Sequence, residues 1–161
     1  MTYSQKYCLV SFQDPLEINT EFAMADWPLH VTLADVFAAD ITEDMERKLV
    51  ELFSSEDSLV TTAGEETKLG DADVVLLDKN TEITNLHTRI IDFLEAHGAI
   101  FNNPDFTRSG FLPHCTIQKS GHLQHGDMLV IKTISLIDLY PQGDWQRRRV
   151  LQNFSLRDSA L

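Results

Sequence analysis

The feature that most constrains this chain is a short pattern that occurs twice, at residues 27–34 and 111–118. The first copy reads WPLHVTLA and the second reads FLPHCTIQ. In each copy a proline precedes, within two residues, a histidine, an apolar residue, a threonine and another apolar residue. Apolar and β-branched residues of this kind favour strands. The copies lie 84 residues apart, so each half of the chain is expected to contain one such strand.

Two copies of the pattern are stronger evidence for a functional site than one copy alone. With 6 His and 23 Ser plus Thr in 161 residues, about one His-x-Ser/Thr tripeptide is expected by chance. Requiring apolar residues at the middle and following positions lowers that expectation to roughly 0.16, and two matches are expected in about one such sequence in a hundred. The repetition therefore indicates that the two copies contribute to the same function.

Strand geometry supplies the chemical reason for the pattern. Side chains alternate between the faces of a strand, so His30 and Thr32 share a face, as do His114 and Thr116, while Cys115 lies on the opposite face. Two such strands side by side would line a cleft with two imidazoles and two hydroxyls. One imidazole can accept a proton while the other donates one, and hydroxyls can stabilise charge on phosphate oxygens. This arrangement is typical of a phosphodiester site near neutral pH.

Hydrophobic periodicity predicts two helices among several strands. Thr42 and Thr81 are the expected N-caps, and Gly98 closes the second helix at a C′ position. Strands are predicted at 6–13, 29–37, 58–63, 73–79, around His114, at 128–140 and at 147–156. The order predicts an α+β fold of two topologically similar halves.

Charge restricts the partners. The net charge is −12, and residues 1–100 carry 6 Lys+Arg against 20 Asp+Glu, whereas residues 101–161 carry 7 against 5. Duplex binding requires the neutralisation of many phosphates, so long duplex nucleic acid is disfavoured as a partner. The longest apolar runs are far too short for a membrane span, and the N-terminus lacks a signal layout, so a cytoplasmic protein is expected.

The tetrads HVTL (30–33) and HCTI (114–117) resemble the two motifs of the 2H phosphoesterases, the superfamily of 2′-5′ RNA ligase-like proteins and cyclic nucleotide phosphodiesterases. The spacing, the FLPH lead-in and the closing RRVLQNFSL segment are also similar to that family. The resemblance implies that residues 1–161 form one domain of two similar lobes. Antiparallel sheets in a pseudo-twofold arrangement, with flanking helices, would enclose a central groove carrying the two motifs.

The resemblance also implies the chemistry. His30 and His114 would be the acid/base pair, and Thr32 and Thr116 would bind the phosphate, with neither metal nor cofactor. The expected substrate is a small nucleotide or short RNA end with a 2′,3′-cyclic or other 2′-linked phosphate, handled by a monomer. Alternative functions are 2′-5′ RNA ligase-type end joining and a non-catalytic nucleotide- or RNA-binding module of the same fold.

Further candidate residues are supported less directly. The candidate substrate contacts are Trp27, Phe111, Tyr140 and His122, although aromatic residues of a small domain more often pack in the core. His122, His125 and Asp127 invite a metal-site interpretation, but no further ligand is evident. Cys115 is interpreted as a packing residue beneath the site rather than a nucleophile. Arg147 to Arg149 should alternate faces, so only some of them can reach one cleft.

Overall fold

The computed structural model describes residues 5–158. Within that range the chain forms ten β-strands, two α-helices and three short 3-10 turns. The helices are α1 (Glu43–Ser54) and α2 (Thr81–Ala96). The strands are β1 (Tyr7–Phe12), β2 (Glu21–Ala23), β3 (His30–Ala38), β4 (Leu59–Leu69), β5 (Ala72–Leu77), β6 (Ile100–Phe101), β7 (His114–Thr116), β8 (Met128–Ile131), β9 (Thr133–Asp138) and β10 (Arg147–Ser155).

All ten strands belong to one antiparallel sheet in the order β2-β10-β9-β1-β3-β7-β5-β4-β8, with β6 added alongside β3. The two strands with the His-x-Thr pattern, β3 and β7, are neighbours at the centre of this order. On one side of them lies the lobe of β1, β9, β10 and β2, and on the other the lobe of β5, β4 and β8. The predicted α+β fold is confirmed, and the two lobes share a continuous sheet.

Both helices pack their apolar side chains into one main core against the sheet. Helix α1 contributes Met45, Leu49 and Phe53 to the main core, where the fully buried Phe53 stabilises the fold by roughly 1.5–3 kcal/mol. Val31 and Cys115 belong to that core too. Because alternate residues face oppositely, the histidines and threonines of β3 and β7 lie on the face that the helices leave open. A smaller apolar cluster packs separately from the main core, and its buried members are Cys8, Val10, Phe12, Ile137, Leu139 and Val150.

The helix ends agree with the sequence except at one residue. The Thr42 hydroxyl accepts a hydrogen bond from the Met45 N–H at 3.1 Å, as predicted for the cap of α1. The predicted cap of α2 is wrong by one position, because Asn80 is the N-cap and Thr81 is the first helical residue. The Asn80 side chain accepts from the Ile83 N–H at 2.9 Å and also donates to the Val60 carbonyl at 3.0 Å, a second bond that fixes the cap. Gly98 has φ +81°, as a C′ glycine does.

The predicted strand at 128–140 is divided in two. Its first part, β8, pairs with β4 in one lobe, and its second part, β9, pairs with β1 and β10 in the other. The chain crosses between the lobes at Lys132. The position of this crossing is not evident from the sequence, because the whole segment favours strand. The sequence pattern does not predict the short strands β2 and β6. Among residues 5–158 no helix is long and apolar enough to cross a membrane.

Candidate active site

The site is built on the pair of strands at the centre of the sheet. Strands β3 and β7 are antiparallel, with Val31 opposite Cys115. This register places His30 opposite Thr116, and Thr32 opposite His114. The four polar side chains of the two motifs therefore meet on one face, with each imidazole facing the hydroxyl residue of the other motif.

The two imidazoles are held in the same way. The His30 Nδ1 lies 2.8 Å from the Pro28 carbonyl oxygen, and the His114 Nδ1 lies 2.7 Å from the Leu112 carbonyl oxygen. A carbonyl only accepts, so each neutral ring carries its proton on Nδ1 and donates it to the carbonyl two residues earlier. The Nε2 lone pair of each ring is then available, and neither Nε2 forms a hydrogen bond to any residue in the range 5–158. Both rings are oriented to exchange a proton through Nε2.

The surroundings of His30 favour its neutral form. Burial lowers the pKa of His30, the hydrogen bond to the Pro28 carbonyl raises it, and the nearby charge of His114 lowers it further. The net pKa shift is downward from the ordinary value of 6.5. An electrostatic effect of His114 on the pKa of His30 agrees with the position of the two residues on adjacent strands.

Aromatic side chains produce that burial. The Trp27 ring lies 4.5 Å from the His30 ring between centroids, and Phe12 contacts the same imidazole edge-on at 6.0 Å. Phe22 packs against Trp27 in turn, at 4.9 Å. Trp27, predicted as a substrate contact, is thus a wall of the His30 pocket, and a contact with substrate stays a prediction.

A cavity of about 520 Å³ opens beside the second motif. Thr32 and His114 line it at the junction of β3 and β7. The β4–β5 turn and the loop before β7 provide most of the remaining wall. The other lining residues are Leu33, Asp35, Leu69, Gly70, Ala72, Val74, His87, Phe106, Gly110, Phe111 and Leu112. The volume is within the roughly 300–1,000 Å³ of small-molecule sites.

Asp35 is a cavity residue that the strand pattern does not predict. Strict alternation from His30 and Thr32 would place Ala34 in the groove and Asp35 in the core. Instead β3 contains register irregularities against β1, where Leu9 pairs with Ala34 but the adjacent Val10 pairs with Thr32. The extra residue shifts the alternation, so that Ala34 is buried in the core and Asp35 lines the cavity.

Phe111, another predicted substrate contact, is only 5% exposed. Its ring stacks on the His87 imidazole while still forming part of the cavity wall. The His87 Nδ1–H donates to the Leu33 carbonyl at 2.7 Å, and Nε2 accepts from the Arg108 N–H at 2.9 Å. With both ring nitrogens bonded and its surface buried, His87 is structural.

The other two predicted contacts lie outside this cavity. Tyr140 lines a separate depression of about 360 Å³ with Trp145 and Arg148. His122 is exposed, with its Nε2 3.2 Å from a carboxylate oxygen of Glu66. Their contact with substrate stays a prediction. In the part of the chain from 5 to 158, no three His, Cys, Asp or Glu side chains are grouped so as to hold a metal ion, and the 121–127 loop forms no such group.

The three consecutive arginines alternate as predicted. Arg147 and Arg149 both pair with Glu21, with 3.8 Å between the Arg147 Nε and a carboxylate oxygen. Arg148 points the other way, with its guanidinium carbon 6.0 Å from the Trp27 ring centroid. Its Nη1 donates to three backbone carbonyls, those of Leu139, Trp145 and Arg147, at 2.8–3.0 Å. Arg148 thus packs against Trp27, the ring that contacts His30.

The lobes are also joined at the rim of the groove. The Lys119 ammonium, just beyond the second motif, lies 3.5 Å from a carboxylate oxygen of Asp26. The neighbouring Ser120 hydroxyl donates to the Trp27 carbonyl at 3.4 Å. These exposed contacts are weak individually, but they place a cation next to the segment that precedes His30.

Several solved structures have the same fold. A crystal structure described as a phosphoesterase aligns with a TM-score of 0.59 over 95% of this chain and 98% of its own, at 15% identity. Escherichia coli LigT in complex with NADP+ aligns with a TM-score of 0.58 over 95% and 98%, at 15% identity. The protein TT0787 of Thermus thermophilus aligns with a TM-score of 0.56 over 96% and 99%, again at 15% identity. Identities this low establish the fold alone.

Membership of a family rests on the sequence. The chain matches none of the curated proteins with which it was compared. The family model of the 2′-5′ RNA ligase superfamily, however, matches residues 13–149, a range that contains both His-x-Thr motifs and most of both lobes. With the shared fold and the paired motifs, this match shows that the chain belongs to the 2′-5′ RNA ligase superfamily, the 2H phosphoesterases.

Proposed function

We propose that this protein is a phosphodiesterase that hydrolyses the 2′,3′-cyclic phosphate, or another 2′-linked phosphoester, of a small nucleotide or RNA end. One observation carries the proposal. His30 and His114 lie on adjacent central strands, and each has Nδ1 bonded to a backbone carbonyl and Nε2 available on the open face. Two imidazoles held in this way are suited to move two protons around one phosphorus atom.

In the proposed step, His30 and His114 account for both protons that move. The Nε2 of neutral His30 removes a proton from a water molecule as the water oxygen bonds to phosphorus. The bond from phosphorus to one ribose oxygen breaks, and the protonated Nε2 of His114 gives its proton to that oxygen. His30 ends protonated and His114 neutral, and exchange with solvent restores both.

We assign His30 as the base because burial lowers its pKa, so it is neutral and able to accept a proton at pH 7. The hydroxyls of Thr32 and Thr116 would donate hydrogen bonds to the non-bridging oxygens, where negative charge increases in the transition state. Each hydroxyl residue lies opposite the other motif's histidine, which suits a phosphate held between the two strands.

A short substrate is favoured by the size of the cavity and by the charge. About 520 Å³ accommodates a ligand of nucleotide size, not a duplex. The net charge of −12 disfavours the long phosphate backbone of a structured RNA.

The decisive experiment is a product assay over a panel of 2′,3′-cyclic nucleotides, ADP-ribose 1″,2″-cyclic phosphate, 2′-5′ oligoadenylate and tRNA half-molecules. We expect hydrolysis of the cyclic phosphates, and a decrease of about 10²- to 10⁴-fold in kcat for His30→Ala and for His114→Ala. The matched control is His125→Ala, which removes an exposed imidazole outside the cavity. Near-normal turnover in either active-site variant would contradict the mechanism.

Two further outcomes separate this proposal from its alternatives. Conversion of tRNA halves into a joined product, with no hydrolysis of cyclic phosphates, would assign end joining instead. Activity lost with EDTA and restored by zinc would show that the paired histidines do not act alone.

A further inference from the structure

Asp35 lines the same cavity as Thr32 and His114. It is three residues along β3 from Thr32, no more than about 10 Å of strand. No residue in the range 5–158 forms a hydrogen bond or an ion pair with its carboxylate. A residue that lines a cavity and whose acceptor oxygens have no protein partner is available to bind a ligand.

The walls around Asp35 are mainly apolar. The hydrophobic residues that line the cavity are Leu33, Leu69, Ala72, Val74, Phe106, Phe111 and Leu112. Phe106 and Leu112 are 58% and 42% exposed, so large apolar surfaces are available at the mouth. The remaining imidazole, His87, already has both nitrogens bonded within the protein. Apolar and aromatic walls with a small number of directional polar groups are typical of a small-molecule pocket, and such walls suit a flat heterocycle.

The charge of Asp35 identifies which part of the substrate lies there. A carboxylate only accepts hydrogen bonds, and it repels a phosphate. The phosphate therefore belongs at the threonines and histidines, and Asp35 faces a part of the ligand rich in N–H donors. In a nucleotide this part is the base, which the ribose separates from the phosphate.

The bases differ in how they meet a carboxylate. Guanine presents two adjacent donors, N1–H and the 2-amino group, which match the two carboxylate oxygens. Adenine and cytosine present one amino group beside a ring nitrogen whose lone pair repels the carboxylate, and uracil presents one N–H between two carbonyls. We propose that Asp35 makes this enzyme selective for a guanine nucleotide by accepting hydrogen bonds from the Watson–Crick edge of the base.

This inference rests on the proposed function for the position of the phosphate, but it can be tested without turnover. The test is the equilibrium binding of 3′-GMP, 3′-AMP, 3′-CMP and 3′-UMP to the full chain by calorimetry. The same measurements use Asp35→Asn, an isosteric change that leaves one donor and one acceptor, the pattern complementary to adenine or cytosine. Asp40→Asn is the matched control, because Asp40 is exposed on the segment that follows β3 and does not line the cavity.

We expect the wild type to bind 3′-GMP most tightly, and Asp35→Asn to reduce the ratio of GMP to AMP affinity by roughly 10- to 100-fold. Asp40→Asn should leave the ratio unchanged, and far-UV circular dichroism should show all three proteins folded. Equal binding of the four nucleotides, or a guanine preference that persists in Asp35→Asn, overturns the inference.

The two proposals fail separately. If guanine is preferred through Asp35 but no cyclic nucleotide is hydrolysed, the inferred role of Asp35 is supported and the proposed phosphodiesterase activity is contradicted. If all four 2′,3′-cyclic nucleotides are hydrolysed with equal kcat/KM by both wild type and Asp35→Asn, the proposed activity is supported and the inferred role of Asp35 is contradicted.

Discussion

The imidazole of His87 stacks on the Phe111 ring, with centroids 3.9 Å apart and planes 5° from parallel. The same imidazole accepts a hydrogen bond from the Arg108 N–H and donates one to the Leu33 carbonyl. One side chain of α2 therefore connects β3 to the loop that precedes β7. Leu112, the neighbour of Phe111, provides the carbonyl that orients His114. By packing against Phe111, His87 helps to position the loop that carries this carbonyl.

We expect His87→Ala to lower the free energy of unfolding by about 3 kcal/mol. The change leaves a cavity beneath Phe111 and removes the partners of the Leu33 carbonyl and the Arg108 N–H. Urea denaturation at pH 7.5 measures the effect. His125→Ala, at an exposed position, should change the free energy by less than about 0.5 kcal/mol.

The same residue makes stability depend on pH. Burial lowers the pKa of His87, the Leu33 hydrogen bond raises it, and the charges of Arg108 and Lys79 lower it, for a net downward shift from 6.5. The unfolded chain therefore binds a proton at a higher pH than the folded chain does. The free energy of unfolding should fall as pH decreases below 6.5, more steeply in wild type than in His87→Ala. Equal slopes would contradict this assignment.

The sequence predicts the elements that local pattern controls. Apolar alternation locates β3 and β7, and the paired tetrads identify the four polar side chains that the strand register brings together. The displacement of Asp35 into the cavity depends on an irregularity between β1 and β3, which only the pairing of distant segments determines. The break at Lys132 likewise follows from which lobe each half of the segment pairs with, so local propensity does not reveal it.

The hydroxyls of the two motifs should act on turnover rather than on folding. Thr32→Val and Thr116→Val keep the side-chain shape but remove the donor, so we expect kcat to fall by about 10²- to 10³-fold in each. The change in KM should be smaller, because the hydrogen bonds strengthen as charge develops in the transition state. Steady-state kinetics on 2′,3′-cyclic nucleotides provides the measurement.

Thr62→Val is the matched control for these hydroxyl variants, because Thr62 is an exposed residue of β4 outside the cavity. It should leave kcat unchanged. An unchanged kcat in both Thr32→Val and Thr116→Val would remove the hydroxyls from the proposed mechanism.

Cys115 should be dispensable for the chemistry. It is buried in the main core on the face opposite His114, and burial raises the pKa of its thiol to about 11. At pH 7 it is therefore a protonated thiol, not a thiolate nucleophile. Cys115→Ala should retain kcat within a few-fold while lowering the free energy of unfolding by about 1 kcal/mol, measured by kinetics and urea denaturation. Abolished turnover in a folded Cys115→Ala protein would restore the nucleophile hypothesis.

Trp27 should control the acid limb of the pH–rate profile. If His30 is the base, kcat/KM decreases as pH falls through the His30 pKa, which burial places below 6.5. Trp27→Ala removes the ring 4.5 Å from the imidazole and admits water, so the pKa of His30 should rise and the acid limb should move upward toward 6.5. Trp145→Ala is the control, since Trp145 is 54% exposed and does not line the cavity of Thr32 and His114, and it should leave the limb in place. A limb that stays fixed in Trp27→Ala would mean that its pKa belongs to another group.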